Sequence, residues 1–476
     1  MLTNASHTHN APSVIKPNQI EWDQTILDKY KGAAPRYTSY PTALELHSNY
    51  TNQHFIKAIQ KHPDRPLSLY IHIPFCHKLC YYCGCNKLVT RHQHKADEYL
   101  DILLDEIVYR SRQLSLSSNQ NRQVTQIHLG GGTPTFLTDV QISRLMNSVR
   151  EHFSVSVDAE ISIEVDPRNI ELSIIDHLRT EGFNRLSIGV QDFDKEVQVC
   201  INREQDESFI ADLVDRAKLK GFKSINLDLI YGLPKQSLLT VKNTLDKVLS
   251  MKPERLSIFN YAHMPQLFAS QRKIKDEWLP SSKERLALFH YIIERLTDAG
   301  YQYIGMDHFA LPSDPLALHQ NKGTLHRNFQ GYTTQGSCDL LGLGVSSISQ
   351  IGDSYAQNEK ELKHYYQKVR RFSHAVVKGI ELEEDDLIRR DLIQSLMCHF
   401  ELNIKQFEWK YQISFEEYFS QDLDLLQVFI DDELVEYSDK GLVVSPRGRL
   451  LIRHICLCFD RYSRQQARLQ CFSRVI

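Results

Sequence analysis

Three closely spaced cysteines constrain this chain more than any other feature of its sequence. Cys76, Cys80 and Cys83 follow the apolar run LYIHIPF with C-x₃-C-x₂-C spacing. Three thiolates on one short loop can bind three irons of a cubane [4Fe–4S] cluster, which normally takes four cysteines. The remaining iron would then be open to a small molecule. The spacing therefore predicts an iron-sulfur cluster at which chemistry can occur.

The same stretch could instead hold a zinc ion. Cys85 offers a fourth sulfur, and nearby nitrogens are offered by three histidines, His72, His77 and His92. Structural zinc sites usually combine two separated pairs of ligands, whereas these cysteines form one compact group. The pattern favours the cluster and leaves zinc as the alternative.

Composition gives a blander picture that is compatible with a soluble enzyme. The chain has 476 residues, of which 42% are hydrophobic and 24% charged, and this is ordinary for a globular protein with two or three domains. A formal net charge of -3 offers no electrostatic argument for a nucleic-acid partner. No apolar run approaches the length of a membrane span, and the N-terminus lacks a signal-peptide pattern. We therefore expect a cytoplasmic protein without a membrane span. We also expect it to be a monomer.

From Pro66 onward, short β-branched runs alternate with amphipathic stretches of helix length, which is the pattern of repeated β-α units. The predicted strands are 67–73, 124–130, 159–165, 184–190, 224–230 and 255–261. The predicted helices are 95–113, 139–152, 171–181, 206–220, 237–250 and 283–299. Six parallel strands with helices outside predict an α/β fold, an incomplete parallel (β/α)₆ barrel. Its functional residues should lie at the C-terminal ends of the strands.

Polar residues recur where these predicted strands end. Glu164 and Asp166 end the third strand, and Gln191 and Asp192 end the fourth. Asp228 and Asn260 lie near the ends of the fifth and the sixth. After the second strand, Gly130-Gly-Gly-Thr-Pro134 would let the backbone approach a ligand closely and offer amide donors. Arg203, just beyond the fourth strand, could bind a carboxylate through two parallel hydrogen bonds. The pattern predicts one shared polar cavity.

The sequence divides into three predicted regions. Residues 1–62 are expected to form an N-terminal arm that covers the active site, and residues 63–375 the catalytic barrel with an extension of its sheet. Within that extension, segments 301–309 and 339–349 are expected to widen the sheet or to close the open side of the barrel. Residues 376–476 should form a mostly helical, winged-helix-like domain.

An aromatic segment marks the predicted arm. The phrase APRYTSYPTA, which contains Arg36, Tyr37 and Tyr40, carries two prolines and favours an ordered extended segment over a helix. An ordered segment of this kind can cover the active site. A solvated linker is the alternative.

Whole phrases of the sequence resemble a known family. The cysteine loop, with the aromatic Tyr82 just before its last cysteine, resembles the signature loop of the radical S-adenosylmethionine (radical SAM) enzymes. Three longer phrases are similar to the oxygen-independent coproporphyrinogen III oxidase family within them: YIHIPFCHKLCYYCGCNK, PRYTSYPTA at 35–43 and NFQGYTTQ at 328–335. The resemblance runs from about Lys29 to the C-terminus.

The resemblance implies particular ligands for each cofactor. It implies one [4Fe–4S] cluster bound by Cys76, Cys80 and Cys83, and two molecules of S-adenosylmethionine beside it. The positions that match contacts to the first molecule are Tyr70, Gly131, Glu164, Ala262 and Ile348. Those that match contacts to the second are Gly132, Thr133, Gln191, Arg203 and Asp228. Tyr82 stands where the family usually has phenylalanine. Four of these positions are the candidate catalytic residues: Tyr70, Glu164, Arg203 and Asp228.

The implied activity belongs to haem biosynthesis. A 5′-deoxyadenosyl radical would take hydrogen from the β-carbon of a propionate of coproporphyrinogen III, and loss of carbon dioxide and one electron would leave a vinyl group. Two propionates are processed in this way, which gives protoporphyrinogen IX. The reaction needs an electron donor, of flavodoxin or ferredoxin type, and an electron acceptor, and the sequence identifies neither.

A haem chaperone of the same superfamily is the alternative function. Such relatives keep the barrel and its cluster but transfer haem. They typically lack the extra cysteine of C-G-C and the PRYTSYPTA arm, and both features are present here.

Overall fold

The computed structural model describes residues 20–117, 122–439 and 441–464. Residues 1–19, which belong to the predicted arm, lie outside the described part. The first helices are α1 (Gln24–Lys29) and α2 (Asn52–Lys61). Asp23 starts α1 because its carboxylate accepts hydrogen bonds from the first free amides of the helix.

The barrel then forms from repeated strand and helix units, as predicted. Its elements are β1 (Leu67–Ile73), β2 (Phe75–Cys76), β3 (Leu88–Val89), α3 (His94–Ser117), β4 (Gln123–Gly131), α4 (Asp139–His152), β5 (Ser154–Val165), α5 (Ile174–Thr180), β6 (Arg185–Gln191), α6 (Lys195–Cys200), α7 (Glu207–Leu219), β7 (Ser224–Tyr231), α8 (Leu238–Ser250), β8 (Arg255–Asn260) and α9 (Ser282–Asp298). All six predicted strands and helices are present, and the short helix α6 was not predicted.

Further strands extend this sheet. They and their helices are β9 (Gln302–Gly305), β10 (His308–Ala310), α10 (Pro315–Asn321), β11 (His326–Asn328), β12 (Gly331–Thr333), β13 (Asp339–Leu343), β14 (Ile348–Ile351), β15 (Ser354–Asn358), α11 (Leu362–Phe372) and β16 (Val376–Glu381). Among the described strands, β11 and β12 pair only with each other and do not join this sheet.

Within the part of the chain that the structure describes, the main sheet has twelve strands in the order β16-β15-β14-β13-β1-β4-β5-β6-β7-β8-β10-β9. All neighbours from β13 to β8 run parallel, so β13 adds a seventh parallel strand beside β1. Segments 301–309 and 339–349 widen the sheet at opposite edges. Among the described strands they do not close it, since β16 and β9 remain its two ends. The predicted fold class, an incomplete α/β barrel, is confirmed.

The remaining elements follow the main sheet. They are α12 (Glu384–His399), β17 (Glu401–Leu402), α13 (Ile404–Tyr411), α14 (Phe415–Tyr418), α15 (Ser420–Asp431), β18 (Val435–Ser438), β19 (Gly441–Val444) and α16 (Ile452–Leu457). Strands β18 and β19 form a hairpin, and β17 pairs with the outer side of β19. The likeness to a winged helix stays a prediction. In the described chain, no helix combines the length and the apolar character that crossing a bilayer requires.

The aromatic segment of the arm is ordered by the C-terminal part of the chain. The Tyr37 hydroxyl donates a hydrogen bond to Asp460 over 3.1 Å, and the Tyr40 hydroxyl accepts one from the amide of Arg461. Both tyrosines are buried. Arg36 instead forms an ion pair with Asp307, in the turn between β9 and β10. The segment therefore ties the barrel edge to the C-terminal domain, and whether it covers a substrate stays a prediction.

A buried carboxylate joins the sheet extension to the barrel. Glu106 lies on α3, is fully buried, and accepts three hydrogen bonds of 2.8–2.9 Å from Gly344, Asn358 and Tyr365. These donors follow β13, end β15 and lie on α11, respectively. One side chain of the barrel therefore fixes three parts of the extension.

We predict that Glu106→Ala lowers the free energy of unfolding by about 2–4 kcal/mol, because three buried donors lose their acceptor. The matched control is Glu98→Ala on the same helix, whose carboxylate is half exposed and pairs with Arg370 at 3.0 Å. Loss of such a surface pair should cost less than about 1 kcal/mol. Urea unfolding followed by circular dichroism measures both values. Equal shifts in the two variants would contradict the anchoring role.

Candidate active site

One cavity of about 510 Å³ opens at the cysteine loop and runs along the inner faces of β4 to β8. This volume falls in the range of small-molecule sites. Most of the predicted site residues line it: Cys76, Cys80, Tyr82, Cys83, Gly131, Gly132, Thr133, Glu164, Gln191, Arg203 and Asp228. The structure thus brings the strand-end residues and the cysteines to one place.

The sulfur atoms of two predicted cluster ligands accept hydrogen bonds from side chains of the barrel. The Thr133 hydroxyl donates to Sγ of Cys76 over 3.4 Å. Sγ of Cys80 accepts from Arg168 at 3.2 Å and from Arg203 at 3.4 Å. Donors and positive charge around sulfur stabilise thiolates, which are the ligands of iron-sulfur clusters. The residues present therefore fit the cluster that the sequence predicts.

The third cysteine, Cys83, interacts with its own loop. Its sulfur accepts a hydrogen bond from the Cys85 amide over 3.5 Å. Hydrogen bonding from Cys85 and the charge of Lys87 lower the pKa of the Cys83 thiol to about 6, although burial acts in the opposite direction. By contrast, burial raises the pKa of Cys76 to about 11. Cys85 lines the same cavity, so its position alone does not separate it from the three predicted ligands.

The zinc alternative finds no support in the side-chain arrangement. Across residues 20–117, 122–439 and 441–464, no three His, Cys, Asp or Glu side chains stand together as ligands of one metal ion. A four-iron cluster differs, because each of its thiolates binds a separate iron.

The glycine turn at the end of β4 packs directly behind the cysteine loop. Gly131 has a φ of +120°, and a side chain there would meet the His72 ring within 3 Å. A side chain at Gly132 would meet the backbone of Pro74 and Phe75 at 2.8 Å, and its amide donates to Ile73. Only glycine allows this close approach of the two loops.

Glu164 holds the same turn from the neighbouring strand. Its carboxylate accepts a hydrogen bond from the Gly131 amide over 3.0 Å and lies 3.4 Å from Nε2 of His128. Burial alone would raise the pKa of Glu164, but these contacts together hold it below its ordinary value. Glu164 is therefore an anion placed between the glycine turn and the cavity.

Three predicted site residues do not line this cavity. The Tyr70 hydroxyl donates to Nδ1 of His72 at 3.0 Å, because Nε2 of that ring must donate to the Asn86 carbonyl. Tyr70 thus lies behind the glycine turn. Ala262 presents its carbonyl to Gln271, and Ile348 pairs with β15 at the extended edge. Their roles in cofactor binding stay predictions.

Arg203 connects the cysteine loop to two strands. Besides Cys80, its guanidinium donates to Asp166 at 3.2 Å and to the Gly189 carbonyl at 2.6 Å. Arg168 shares Asp166, at 2.6 Å. Burial would raise the pKa of Asp166, but the two arginines hold it well below its ordinary value. This ion-paired group makes Arg203 a support of the loop as well as a wall of the cavity.

Asp228 lies deeper in the cavity. It accepts hydrogen bonds of 2.8 Å from Ser187 and Asn226. Burial and the nearby charge of Glu164 raise its pKa to about 6. Asp228 therefore changes its charge close to neutral pH, unlike the carboxylates nearer the cysteines.

Two strand-end residues face elsewhere. Asp192 is buried and is held by Thr244 at 2.8 Å and by Gln236 outside the main cavity. Asn260 lines a small separate cavity with Arg36. Gln191, by contrast, enters the main cavity because a bulge and a φ of +67° end β6 there.

The expectation that functional residues lie at the C-terminal ends of the strands missed a polar face that extends along the strands themselves. Along β4 to β8, most of the residues that face inward are polar, while Ile, Leu and Val alternate with them on the other face. The lining residues of this face that the sequence analysis did not single out are Gln126, His128, Glu160, Ser162, Arg185, Ser187, Ser224, Asn226, Arg255 and Ser257. Buried parallel strands usually read as continuous apolar runs. Strict alternation in such strands was the signal that could have found them.

Comparisons with known proteins agree with this site. A family model described as "Radical SAM superfamily" matches residues 70–248, and one described as "HemN C-terminal domain" matches residues 382–451. The first range contains the cysteine loop and the strands β4 to β7. The second contains most of the helical C-terminal region.

Individual relatives match nearly the whole chain. The oxygen-independent coproporphyrinogen III oxidase of Escherichia coli (strain K12) is 58% identical over 458 residues, which cover 96% of this chain and 99% of the relative. The protein of that name from Pseudomonas aeruginosa is 46% identical over 462 residues, with coverages of 96% and 99%. A solved structure described as "Coproporphyrinogen III oxidase (HemN) from Escherichia coli is a Radical SAM enzyme" matches with a TM-score of 0.90 and 58% identity. It covers 93% of this chain and 100% of that one. The chain therefore belongs to the oxygen-independent coproporphyrinogen III oxidase family of radical SAM enzymes.

Proposed function

We propose that this protein decarboxylates two propionate side chains of coproporphyrinogen III to vinyl groups and so forms protoporphyrinogen IX in haem biosynthesis. The observation that carries this proposal is the cavity, whose one end holds three cysteines and whose inner face is polar along five strands. Near-full-length similarity to named oxidases supports it.

The cysteine end fits the cofactors of this family. When a [4Fe–4S] cluster and S-adenosylmethionine are bound, they supply a 5′-deoxyadenosyl radical that can take hydrogen from carbon. Cys76, Cys80 and Cys83 would hold the cluster. The protein must then exclude water and present one hydrogen of the substrate.

Two groups of residues would make the polar contacts to two molecules of S-adenosylmethionine. We assign the first S-adenosylmethionine to the glycine turn with Glu164, supported by the anion that this side chain places beside Gly131. Tyr70, Ala262 and Ile348 are assigned to it by family resemblance alone. We assign a second S-adenosylmethionine to the wall formed by five lining residues: Gly132, Thr133, Gln191, Arg203 and Asp228. Tyr82 would contact the cofactor through its backbone.

The cellular setting is also part of the proposal. We expect a cytoplasmic monomer that receives electrons from a flavodoxin or ferredoxin type of donor. We also propose that the arm of residues 1–62 closes the site through Arg36 and its neighbours. The guanidinium of Arg36 lies 5.9 Å from the ring of Phe259, which lines the main cavity.

Anaerobic turnover tests the reaction directly. Reconstituted protein with S-adenosylmethionine, a reductant and an electron acceptor should convert coproporphyrinogen III to a divinyl product. Deuterium from the labelled propionate β-carbon should appear in 5′-deoxyadenosine. Vinyl formation without deuterium transfer would exclude direct abstraction, and tight haem binding without turnover would favour the chaperone.

We predict that replacing Cys76, Cys80 or Cys83 by alanine abolishes cluster binding, because each removes the only protein ligand of one iron. Cys85→Ala is the matched control from the same loop and should keep the cluster. Iron and sulfide measured after anaerobic reconstitution decide the question. If Cys85→Ala held as little iron and sulfide as Cys80→Ala, the three-ligand assignment would be refuted.

Glu164 and Asp228 should have separable roles. Glu164→Ala is expected to suppress cleavage of S-adenosylmethionine by about 100-fold or more, because a misplaced reactant loses most of its rate. Asp228→Ala should keep the cluster and some cleavage but lose most decarboxylation. Equilibrium dialysis should then give two bound S-adenosylmethionine molecules per chain for the unsubstituted protein and one for Asp228→Ala. A stoichiometry of one in both would disprove the second site.

The second site should also depend on pH. Above pH 6 Asp228 is largely a carboxylate that accepts hydrogen bonds, whereas below its pKa of about 6 it becomes a neutral carboxyl. Binding at this site should therefore weaken as the pH falls from 7.5 to 5.5. The isosteric variant Asp228→Asn should show no such step in the same dialysis, and a step that persists would assign the titration to another group.

A further inference from the structure

The deep end of the cavity, opposite the cysteines, is built from arginines. Arg185 begins β6 and Arg255 begins β8, and both line the cavity. Their side chains are only 10% and 16% exposed. They lie at the N-terminal ends of the strands, separated from the cysteine end by the length of β6, which is roughly 20 Å.

Each guanidinium is held from one side by a carboxylate. Nε of Arg185 lies 2.7 Å from Glu160, and Nε of Arg255 donates to both oxygens of Asp314 at 2.9 Å. The hydrogen bonds orient the planar group of Arg255, and the ion pair with Glu160 holds Arg185 at the cavity wall. They use only part of the five donors that each guanidinium carries.

Some of the remaining donors lack acceptors. Within the described residues, neither Nη1 of Arg185 nor Nη2 of Arg255 has a hydrogen-bond partner, although both atoms are buried. Nε2 of Gln330 and Nδ1 of His308, which belong to residues lining the same cavity, are also unpaired. Buried donors without partners cost folding free energy and call for an explanation. An acceptor that enters with a ligand would supply one.

The two ends of the cavity differ in chemistry. The carboxylates Glu164 and Asp166 lie toward the cysteine end, and Asp228 lies deeper, near the middle of β7. Arg185 and Arg255 lie at the deep end, together with Glu160, the partner of Arg185. A ligand that spans both would place a negative group deep and its reacting part near the cysteines.

We propose that Arg185 and Arg255 form a binding site for a carboxylate of the substrate, so that one propionate of the tetrapyrrole is anchored at the deep end while another reaches the cysteine end. This inference rests on the proposed function for the identity of the substrate. Fixed guanidinium groups suit it, because their planar donors match a carboxylate through paired, charge-assisted hydrogen bonds. The anchor would select substrates that carry a second carboxylate.

Direct binding tests the proposal without turnover. The reconstituted protein is titrated anaerobically with coproporphyrin III, the fluorescent oxidised form of the substrate, and with its tetramethyl ester. The double variant Glu160→Gln with Arg185→Gln removes the arginine without leaving its carboxylate unpaired. We expect its Kd for the acid to rise about tenfold or more, and its Kd for the ester to change less than about twofold.

A second variant keeps the test falsifiable if the first does not fold. Arg255→Lys preserves the charge beside Asp314 but removes the second nitrogen that faces the cavity, and it should weaken binding of the acid selectively as well. Glu160→Gln alone should keep or strengthen that binding. Arg144→Gln, on the outer surface where Arg144 pairs with Asp101, is the control for loss of one charge. It should change neither Kd.

The outcomes separate this inference from the proposed function. Unchanged binding of the acid, or equal losses for acid and ester, would overturn the carboxylate site. A loss of S-adenosylmethionine binding in place of porphyrin binding would also overturn it. If the unsubstituted protein formed no vinyl groups, the proposed function would fail, yet selective loss of acid binding would still support the deep site.

Discussion

Paired charges inside the barrel are the constraint on which the rest of the structure depends. A parallel sheet covered by helices ordinarily buries apolar residues on both faces, but here one face must stay polar to form a cavity. Charges taken out of water are costly unless they are paired and hydrogen-bonded. Arg203 with Asp166 at one end and Arg255 with Asp314 at the other meet that requirement.

The same pairs give the site its rigidity. Because Arg203 contacts a cysteine sulfur, an acid and a strand carbonyl at once, the cysteine loop cannot move independently of the barrel wall. Thr133 and Gly132 hold the loop from the other side. A reactive centre held from both sides keeps its geometry without depending on the bound cofactor, which is what preorganisation requires.

Much of this could be predicted from the sequence, for identifiable reasons. The alternation of β-branched runs with amphipathic stretches located all six strands, and the rule that sites lie at strand ends found Glu164, Gln191 and Asp228. This rule predicts how far along a strand a functional residue lies, but not on which face of the sheet its side chain stands. Asp192 therefore points to a helix although its neighbour enters the cavity. The parallel pairing of β13 with β1 could not be predicted, because it joins segments separated by most of the barrel.

That pairing has a consequence for how the protein is made. Chains emerge from the ribosome N-terminus first, so β1, which leads into the cysteine loop, has an unpaired edge until residues 339–343 have been synthesised. Tyr37 is synthesised early, whereas its hydrogen-bond partner Asp460 is synthesised later still. The strand that leads into the cysteine loop thus acquires its second neighbour late in biosynthesis, and exposed strand edges are where nascent chains aggregate. Assembly of this enzyme in the cell is therefore most vulnerable at the strand on which its chemistry depends.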